Sequence, residues 1–434
     1  MDRKIRILLM TYLPWREDNN IGNSYSNIFR NTDKDKYEFA HIYVRDGMPQ
    51  NKLVHEYYHI SEKKMMKRWL GKREPVGKYF HLDNCENTPK DTFSNIYNKA
   101  RILRWPIFFL IRDIIGMNRC WITKEFDDFI NDFKPDLVFG TLPVENLNSD
   151  IMIYVSKKWN IPLVTYPWDD YYAYNSTKYT PIRLIRHFMR RHVMCKTAAH
   201  SAFMYVITNL MKDEYEKIFK KECKLLFKGH EFDTLRVIVP RHLRTINMVY
   251  MGNIGGGRWK TLADIAKAIE MVNTKMGRRV MYMNVYTLSP KNEEILSALN
   301  IDGVSQINDA VPSEDVQLVM NNADILLHVE PFKRSEYLFY RASFSTKLVD
   351  YFYAAKCILA VGGMTASTDY LQRNNAAICI TDRSNIVRHL EIIAENPDVV
   401  NEFAKKSWEC GCRNHQIKTI QENMYKDLLK VIGK

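Results

Sequence analysis

Short runs of β-branched and aromatic residues recur along the chain, and several are separated by segments whose apolar residues repeat every three or four positions. Such runs predict buried strands, and the intervening segments predict amphipathic helices. The predicted strands are residues 5–11, 37–44, 136–141, 161–167, 203–208, 223–229, 246–253, 278–287, 323–331, 356–363 and 376–381. Since strands that alternate with helices form parallel sheets, the pattern predicts an α/β fold.

Five segments have apolar residues at the three- and four-residue spacing of a helix. These segments are residues 123–133, 148–160, 261–273, 313–323 and 415–432. In the last of them, one face carries Ile417, Ile420, Met424, Leu428 and Val431. A stripe of this kind predicts a packed C-terminal helix.

The same alternation occurs in both halves of the chain and predicts two similar domains. A chain of 434 residues is long enough for two hydrophobic cores. The boundary is expected in the charged segment 229–245, because it contains Gly229 and Pro240 and precedes a new strand. The predicted domains are residues 1–235 and 236–412, with a C-terminal helix at 413–434 that packs toward the first domain. The cleft between the domains is the expected ligand site.

Basic residues outnumber acidic ones, with 63 Lys and Arg against 50 Asp and Glu and a formal net charge of +13. An excess of this size favours an acidic partner: a phosphorylated substrate, a nucleic acid or an anionic membrane surface. The sequence contains no recognisable nucleic-acid-binding module, so nucleic acid is not the expected partner. No apolar run approaches the ~20 residues that span a bilayer, and residues 1–15 are interpreted as containing a buried strand rather than a signal peptide. We therefore expect a cytoplasmic protein.

Cysteine usage gives no sign of a disulfide framework or a metal site. The eight cysteines are scattered without C-x-x-C pairs, as is typical of free thiols in a reducing compartment. Cys410, Cys412 and His415 are close in sequence, but their spacing matches no usual zinc pattern. No metal and no other cofactor is expected. Residues 52–98 are charged and lack a clear period, so they receive no assignment.

Residues 344–363, "FSTKLVDYFYAAKCILAVGG", predict a short helix that has a lysine in its first turn. With Ser345 as the expected N-cap, Lys347 lies where the helix dipole disfavours a cation, and a bound phosphate would resolve that placement. Asp350 follows three residues later, and a carboxylate accepts two hydrogen bonds from a vicinal diol. A phosphate bound at Lys347 next to a diol bound at Asp350 would together match a nucleotide. The alternative is an exposed salt bridge between Lys347 and Asp350.

A glycine-rich loop follows the predicted strand at 246–253. Gly255, Gly256 and Gly257 let the backbone approach a phosphate closely, and Arg258 and Lys260 at the next helix would neutralise a diphosphate. Substitution of either cation is then expected to lower kcat/KM far more than thermal stability. The loop is neither a Walker loop nor G-x-G-x-x-G, and a flexible turn is the alternative.

The order of these segments resembles the nucleotide-sugar half of GT-B glycosyltransferases, and is most similar to the retaining family 4 enzymes of bacterial surface-polysaccharide assembly. The family motif S-x-K-x-x-E-Y has its counterpart at residues 345–351, "STKLVDY". The likeness covers residues 246–385 well and the first half of the chain by strand order alone. It implies two Rossmann-like parallel-sheet domains facing a cleft, the first binding an acceptor and the second a nucleotide sugar.

The resemblance assigns roles to individual residues of the second half. Asp350 takes the place of the acid that binds the ribose, within a donor-binding segment that also includes Ser345, Thr346 and Lys347. Arg258 and Lys260 belong to the donor diphosphate, beside Gly255, Gly256 and Gly257. The backbone at Asn308, Ala310 and Val311 meets the base.

The sequence departs from the family pattern at the donor sugar. Many members carry two glutamates eight residues apart, but Ala342 stands eight residues before Asp350. Glu330, which ends a predicted strand, is a candidate for the missing carboxylate, and a solvated strand-end acid is the alternative. His230, beside Gly229, is interpreted as a surface residue.

Two segments of the first half are candidates for the acceptor side. By the resemblance, a loop after the first strand that contains Gly22 and Asn23 faces the donor phosphate and the acceptor, with a capped turn as the alternative. Trp168, Asp169 and Asp170 combine a ring that stacks on sugars with carboxylates that accept hydroxyl hydrogens. One of the two aspartates is expected near the acceptor and is a candidate catalytic residue.

The implied function is transfer of a sugar from a nucleotide-sugar donor to a saccharide or lipid-linked saccharide acceptor, with retention, in surface-polysaccharide biosynthesis. Two alternatives share the nucleotide site: a GT-B-fold sugar-nucleotide epimerase and a non-catalytic sugar-nucleotide-binding protein. A lipid-linked acceptor would place the protein at the inner face of the cell membrane.

A basic amphipathic segment offers a means of membrane contact. Residues 178–196 contain six Lys or Arg and no acid, and their apolar residues fall near one side of a helix. Residues 100–112 add a second basic and aromatic segment. Several such basic residues would hold a protein reversibly at an anionic leaflet. The alternative is a buried helix with a solvated basic rim.

Overall fold

The computed structural model describes residues 3–16, 20–72, 74–82, 106–173 and 180–433. It divides the chain into two compact units, one formed by Met1–Phe227 with Ile420–Lys434 and the other by Lys228–Thr419. Parts of several sequence interpretations lie outside the described residues. They include positions 73 and 83–98 of the unassigned zone, 100–105 of the second basic segment and 178–179 of the first.

The described part of the first unit contains one eight-stranded sheet. Its strands are β1 (Ile5–Thr11), β2 (Tyr37–Tyr43), β3 (Glu56–Ile60), β4 (Gly77–His81), β5 (Leu137–Gly140), β6 (Leu163–Thr165), β7 (Phe203–Val206) and β8 (Cys223–Leu225). The order is β4-β3-β2-β1-β5-β6-β7-β8, and every pair is parallel except β3 with the edge strand β4. Parallel neighbours require crossover connections, and helices supply most of them.

Seven helices are described in the Met1–Phe227 part of the first unit. They are α1 (Asn20–Ile28), α2 (Glu62–Trp69), α3 (Pro106–Ile115), α4 (Lys124–Phe133), α5 (Asn146–Lys158), α6 (Pro181–His200) and α7 (Asn209–Phe219). In α4, Phe126, Phe129, Ile130 and Phe133 are buried, and the Thr123 hydroxyl caps the helix by accepting from the Phe126 N–H at 3.2 Å. The 3.6-residue period and the cap together explain why the sequence predicted this helix.

The described part of the second unit contains a six-stranded, fully parallel sheet with helices between its strands. Its strands are β9 (Ile246–Met251), β10 (Met281–Thr287), β11 (Ser305–Asp309), β12 (Ile325–Val329), β13 (Cys357–Val361) and β14 (Ile378–Ile380), in the order β11-β10-β9-β12-β13-β14. Its helices are α8 (Arg258–Lys275), α9 (Glu293–Leu299), α10 (Val316–Asn322), α11 (Arg334–Tyr337), α12 (Lys347–Tyr353), α13 (Ala366–Arg373), α14 (Ile386–Glu395) and α15 (Asp398–Asn414). The prediction of two Rossmann-like α/β domains is confirmed.

The last helix, α16 (Ile417–Val431), belongs to the first unit from Ile420 onward. Met424 and Leu428 are buried in the same apolar cluster as residues of β1. The Tyr425 ring stacks on Tyr37 with centroids 4.1 Å apart, and Lys224 Nζ lies 2.6 Å from a carboxylate oxygen of Asp427. Both apolar and charged contacts therefore fix this helix to the first sheet.

The structure corrects the sequence analysis in the first unit. Strands β3 and β4 lie in the zone that received no assignment, where alternating aromatic, histidine and charged residues obscure the period of two. Gly22 and Asn23 lie in α1 and not in a loop. Tyr25 and Phe29 are fully buried four residues apart, which is the helical spacing that the glycine and asparagines obscured. Among the described residues, no helix is long and apolar enough to cross a bilayer.

Candidate functional site

The candidate site lies at the carboxyl edge of the second sheet. Strands β9 and β12 are neighbours at the centre, and the chain continues from β9 to β10 on one side and from β12 to β13 on the other. Such a reversal of strand order opens a crevice beyond the strand ends, where open α/β sheets bind ligands. The glycine-rich loop follows β9 and Glu330 follows β12, so both border this crevice.

The glycine-rich loop requires its glycines. Gly256 and Gly257 have φ angles of 65° and 94°, in the left-handed region that favours glycine. A β-carbon on Gly256 would lie 2.8 Å from the Tyr340 hydroxyl oxygen, and one on Gly257 would collide with the Glu336 carboxylate. The loop is therefore a close-packed turn that leads directly into α8 at Arg258.

Arg258 is the first residue of α8 and forms a two-pronged ion pair. Its Nε and Nη2 each donate to a Glu330 carboxylate oxygen at 3.1 Å, and its guanidinium lies 3.9 Å from the centre of the Tyr340 ring. Both charged side chains are largely buried. Burial raises the pKa of Glu330, and the charge of Arg258 opposes that rise. Tyr340 was not anticipated from the sequence.

Lys260 is also paired with a carboxylate. Its Nζ lies 3.3 Å from Glu336 Oε1, and the same carboxylate lies against Gly257 at the start of α8. Both cations that the sequence assigned to a diphosphate are thus neutralised by acids from the segment after β12. Glu330 was a candidate from the sequence, but no period or motif pointed to Glu336.

Lys347 begins α12, as predicted, and has no carboxylate partner among the described residues. Its half-buried ammonium lies 3.4 Å from the Met251 carbonyl oxygen and 4.4 Å from the centre of the Tyr250 ring. Burial, together with the charge of nearby Arg258 and against the opposing charge of Glu330, lowers the pKa of Lys347 to about 8. A cation in this state would be stabilised by an added anion.

Asp350 accepts hydrogen bonds from two residues at the beginning of the unit. Lys228 Nζ donates to both carboxylate oxygens at 2.8 and 2.9 Å, and His230 Nε2 lies 2.9 Å from one of them. Burial acts to raise the pKa of Asp350, but the bond from His230 and the charge of Lys228 bring it below its usual value. The alternative of a salt bridge with Lys347 is wrong, and so is the interpretation of His230 as a simple surface residue.

The start of α12 differs from the sequence prediction. The residue before the helix is Thr346, whose side chain makes no capping hydrogen bond, so Ser345 is not the N-cap. The Ser345 N–H instead donates to Ser367 Oγ at 3.0 Å. The hydroxyls of Ser345 and Thr346 thus lie beside Lys347 without capping the helix.

The remaining predicted residues of the second unit lie farther along the same edge. Asn308 is near the end of β11, and Ala310 and Val311 follow it. The exposed Asp309 pairs with Lys291 at 2.6 Å. Since β11 and β9 are both parallel neighbours of β10, their carboxyl ends lie at one edge.

His328 is a buried side chain of this region that sequence reasoning missed. It lies on β12, two residues before Glu330, and neither ring nitrogen has a hydrogen-bond partner among the described residues. Burial, together with the charges of Lys347 and Arg258, lowers the pKa of His328 well below its usual value. Its imidazole is therefore neutral at physiological pH.

The acceptor-side candidates belong to the first unit. Asp170 is buried, and its Oδ1 lies 3.2 Å from the backbone nitrogens of Tyr172 and Ala173 and from the Tyr215 hydroxyl. These contacts stabilise the turn after β6. Asp169 accepts from the Tyr171 hydroxyl at 3.2 Å and is less buried, so it is the better of the two candidates for substrate contact.

Within the described residues, no group of three or more His, Cys, Asp or Glu side chains converges as a metal site. At the C-x-C-x-x-H segment, His415 Nδ1 lies 3.0 Å from the Lys228 carbonyl oxygen and Nε2 lies 2.9 Å from the Tyr370 hydroxyl. His415 is therefore a satisfied core residue.

No protein-family model matches the chain. No curated protein matches it either. Solved structures are similar: WaaG, a glycosyltransferase involved in lipopolysaccharide biosynthesis, has 10% identity and a TM-score of 0.56 over 96% of this chain and 98% of its own. The UDP-forming α,α-trehalose-phosphate synthase of Burkholderia vietnamiensis has 9% identity and a TM-score of 0.54 over 98% of this chain and 100% of its own. An E. coli trehalose-6-phosphate structure bound with UDP-2-fluoro glucose has 9% identity and a TM-score of 0.54 over 98% of each chain. At these identities the likeness confirms the fold.

Proposed function

We propose that the second unit binds the nucleoside diphosphate of a nucleotide sugar and that the protein transfers the sugar to a saccharide or lipid-linked acceptor. The observation that carries the proposal is Lys347, a half-buried ammonium without a carboxylate partner among the described residues. It lies at the sheet edge where α/β folds bind ligands, and its pKa is lowered because the charge of Glu330 compensates its burial only in part. Structural likeness to glycosyltransferases supports the reaction class.

Three cations would stabilise the leaving group. As the bond from the sugar to the diphosphate breaks, negative charge grows on the phosphate, and fixed cations lower the energy of that state. Lys347 is available at once, whereas Arg258 and Lys260 are held by Glu330 and Glu336 until the donor binds. Because these side chains supply the positive charge, the proposal includes no metal cofactor.

The finer parts of the proposal depend on the sequence motif. Residues 345–351 resemble the donor-binding segment of retaining family 4 enzymes, and we extend to this protein their retention of configuration and their role in surface-polysaccharide assembly. In the same way, Asn308, Ala310 and Val311 are proposed to meet the base, and Asp169 the acceptor.

A panel of nucleotide sugars tests the function in two steps. A donor that binds the native protein raises its unfolding temperature, which identifies the base and sugar. The stabilising donor is then incubated with saccharide and lipid-linked acceptors, and free nucleoside diphosphate is measured. Acceptor-dependent release supports transfer. Conversion of the sugar without release would indicate the epimerase, and stabilisation without turnover the non-catalytic binding protein.

Replacing Glu336 by glutamine is expected to strengthen nucleoside diphosphate binding. The substitution removes the carboxylate that competes with phosphate for Lys260 and for the start of α8. An ion pair this exposed contributes about 0.5–1 kcal/mol, so calorimetry should show an affinity gain of about two- to fivefold.

A closely matched control lies at the other end of α8. Lys275 pairs with Glu391 at 2.9 Å, and the exposed fractions of the two side chains, 56% and 28%, match the 56% and 27% of Lys260 and Glu336. Glu391→Gln should leave affinity unchanged. An equal gain in both variants would show a general effect of net charge and contradict the proposed competition.

Replacing Asp350 by asparagine is expected to reduce binding of ribonucleoside diphosphates more than that of their 2′-deoxy analogues. The carboxylate is proposed to accept from the ribose diol, and loss of a charged acceptor costs about 1.5–3 kcal/mol. Calorimetry with both ligands should show their affinities converging in the variant. An equal loss for the two ligands would mean that Asp350 serves only to hold Lys228 and His230.

We further propose that the first unit contacts an anionic membrane through α6. Ile185 and Phe188 on this helix are 50% and 62% exposed, whereas Val193 and Met194 are buried. The arginines are less available than the sequence suggested, because Arg186 pairs with buried Asp113 at 3.2 Å. The exposed apolar residues would enter the headgroup region, and the excess positive charge of the chain would favour an anionic leaflet.

Sedimentation with vesicles tests this contact. The Ile185→Ser, Phe188→Ser double variant is expected to bind anionic vesicles at least about tenfold more weakly, because each apolar side chain gains about 1.5–3 kcal/mol on burial. Ile218→Ser, a 37%-exposed position on α7, is the control. Binding should weaken with salt and be absent with neutral vesicles. Equal binding by wild type and the double variant would contradict the proposal.

A further inference from the structure

A cavity of about 200 Å³ lies at the amino edge of the second sheet, the edge opposite the proposed donor site. Asp324 and Lys356, which immediately precede β12 and β13, lie on its wall. The loop before β9 closes one side and is fixed to α15 by a reciprocal pair. In that pair, the Arg241 N–H donates to Asn401 Oδ1 at 2.9 Å and Asn401 Nδ2 donates to the Arg241 carbonyl at 3.0 Å. The cavity is thus bounded by ordered contacts.

Positive charge exceeds negative charge at this cavity. Arg241 Nη1 lies 2.9 Å from Asp324 Oδ1, and the other oxygen of Asp324 accepts from the Asn247 N–H at 2.9 Å. Lys356 Nζ donates to the Asn321 carbonyl at 2.6 Å and has no carboxylate partner among the described residues. Burial, together with the charge of Arg241 and against the opposing charge of Asp324, lowers the pKa of Lys356 to about 8.

Glu402 and Lys405 on α15 add one charge of each sign to the wall, and the rest of the lining is mainly apolar. Val239, Pro240 and Leu243 come from the loop, and Val400 and Ala404 come from α15. A fully hydrated inorganic ion would gain little from these walls. A ligand with an anionic group and a compact apolar body would satisfy both the ammonium and the walls.

We propose that this cavity is a second binding site, for a small organic anion such as a phosphate monoester or a carboxylate that carries an aryl or short alkyl group. The anionic group lies between Lys356 and Arg241, and the apolar body lies against Pro240 and Val400. The site is separate from the proposed donor site, because the two occupy opposite edges of one sheet. Failure of this proposal would leave the proposed glycosyl transfer untouched.

Acylation of lysines followed by mass spectrometry tests the site, with phenyl phosphate as the probe. At pH 8 about half of the Lys356 amine is unprotonated, so it reacts readily with an amine-directed acylating reagent. Phenyl phosphate is expected to slow acylation of Lys356 at least about fivefold with a saturable dependence, because a bound anion restores the protonated form. Inorganic phosphate at equal ionic strength should protect Lys356 less, because it has no apolar group to pack against the cavity walls.

Two variants make the result specific. Ala404→Leu fills part of the cavity without altering charge, so Lys356 should stay reactive and lose its protection by phenyl phosphate. Lys347→Met removes the proposed phosphate contact of the donor site and should leave the protection of Lys356 intact. Absence of saturable protection in the wild type, equal slowing of all lysines, or full protection in Ala404→Leu would each overturn the proposal.

Discussion

Replacing Arg258 by alanine is expected to lower the free energy of unfolding by about 3–5 kcal/mol, because the substitution leaves the Glu330 carboxylate buried without its cation. The sequence predicted a smaller effect on stability, because Arg258 was assigned to the diphosphate of the donor and to no other contact. In the structure the guanidinium also bonds both Glu330 oxygens and stacks on Tyr340. Urea unfolding of the ligand-free protein measures the loss directly.

The double variant Arg258→Met, Glu330→Gln separates the ion pair from the packing. It removes both charges and keeps similar side-chain volumes, so most of the lost stability should return. The single variant should also gain stability as the pH falls. Without Arg258, the pKa of Glu330 in the folded state lies farther above its unfolded value, so protonation favours the folded chain at low pH and the benefit is lost as pH rises through the folded pKa. A single variant as stable as the wild type at pH 7 would contradict the structural role.

The parts of the fold that the sequence predicted well are those with strong local periodicity. The central strand β9 is a run of buried residues between a charged segment and a glycine-rich loop, and α8 follows with a regular apolar stripe. Strands β3 and β4 were missed because their outward positions carry tyrosine, histidine and lysine, which weaken the alternation. Their antiparallel pairing at the sheet edge has no counterpart in the strand-helix alternation that guided the prediction.

The candidate site was predictable only where it depended on one segment. The placement of Lys347 in a first helical turn follows from residues 344–353 alone. The partners of Asp350 do not, because Lys228 and His230 lie 122 and 120 positions away in the chain. Glu336 was missed for a similar reason. Its effect on Lys260 arises from the fold of the segment between β12 and α12, which has no periodic pattern.

Replacing Lys347 by methionine is expected to weaken nucleoside diphosphate binding by about 1.5–3 kcal/mol, or roughly 10- to 150-fold, because a charge-assisted contact to phosphate is lost. The same substitution should stabilise the ligand-free protein by on the order of 1 kcal/mol, since it removes a poorly compensated, half-buried charge. The affinity measured by calorimetry should therefore fall, while the free energy of unfolding measured with urea should rise. If Lys347 had a purely structural role, its replacement would lower the free energy of unfolding and leave the affinity unchanged.

The pH dependence of binding provides the sharpest test of Lys347. In the free protein its pKa is about 8, and a bound diphosphate would raise that value because it stabilises the ammonium. Affinity should then be nearly constant below pH 8 and fall as pH rises from 8 toward the higher pKa of the complex, by up to about tenfold per pH unit. Lys347→Arg keeps the charge throughout this range, since the guanidinium titrates above pH ~12, so its profile should be flat.

Proton uptake distinguishes this linkage from a general loss of binding in alkali. At pH 9 the free ammonium is mostly deprotonated, so diphosphate binding must draw close to one proton from the buffer. Calorimetric titrations in two buffers of different ionisation enthalpy measure that number, which should be close to zero in Lys347→Arg. A pH profile and proton uptake shared by wild type and Lys347→Arg would assign the linkage to another group and contradict contact between Lys347 and the phosphate.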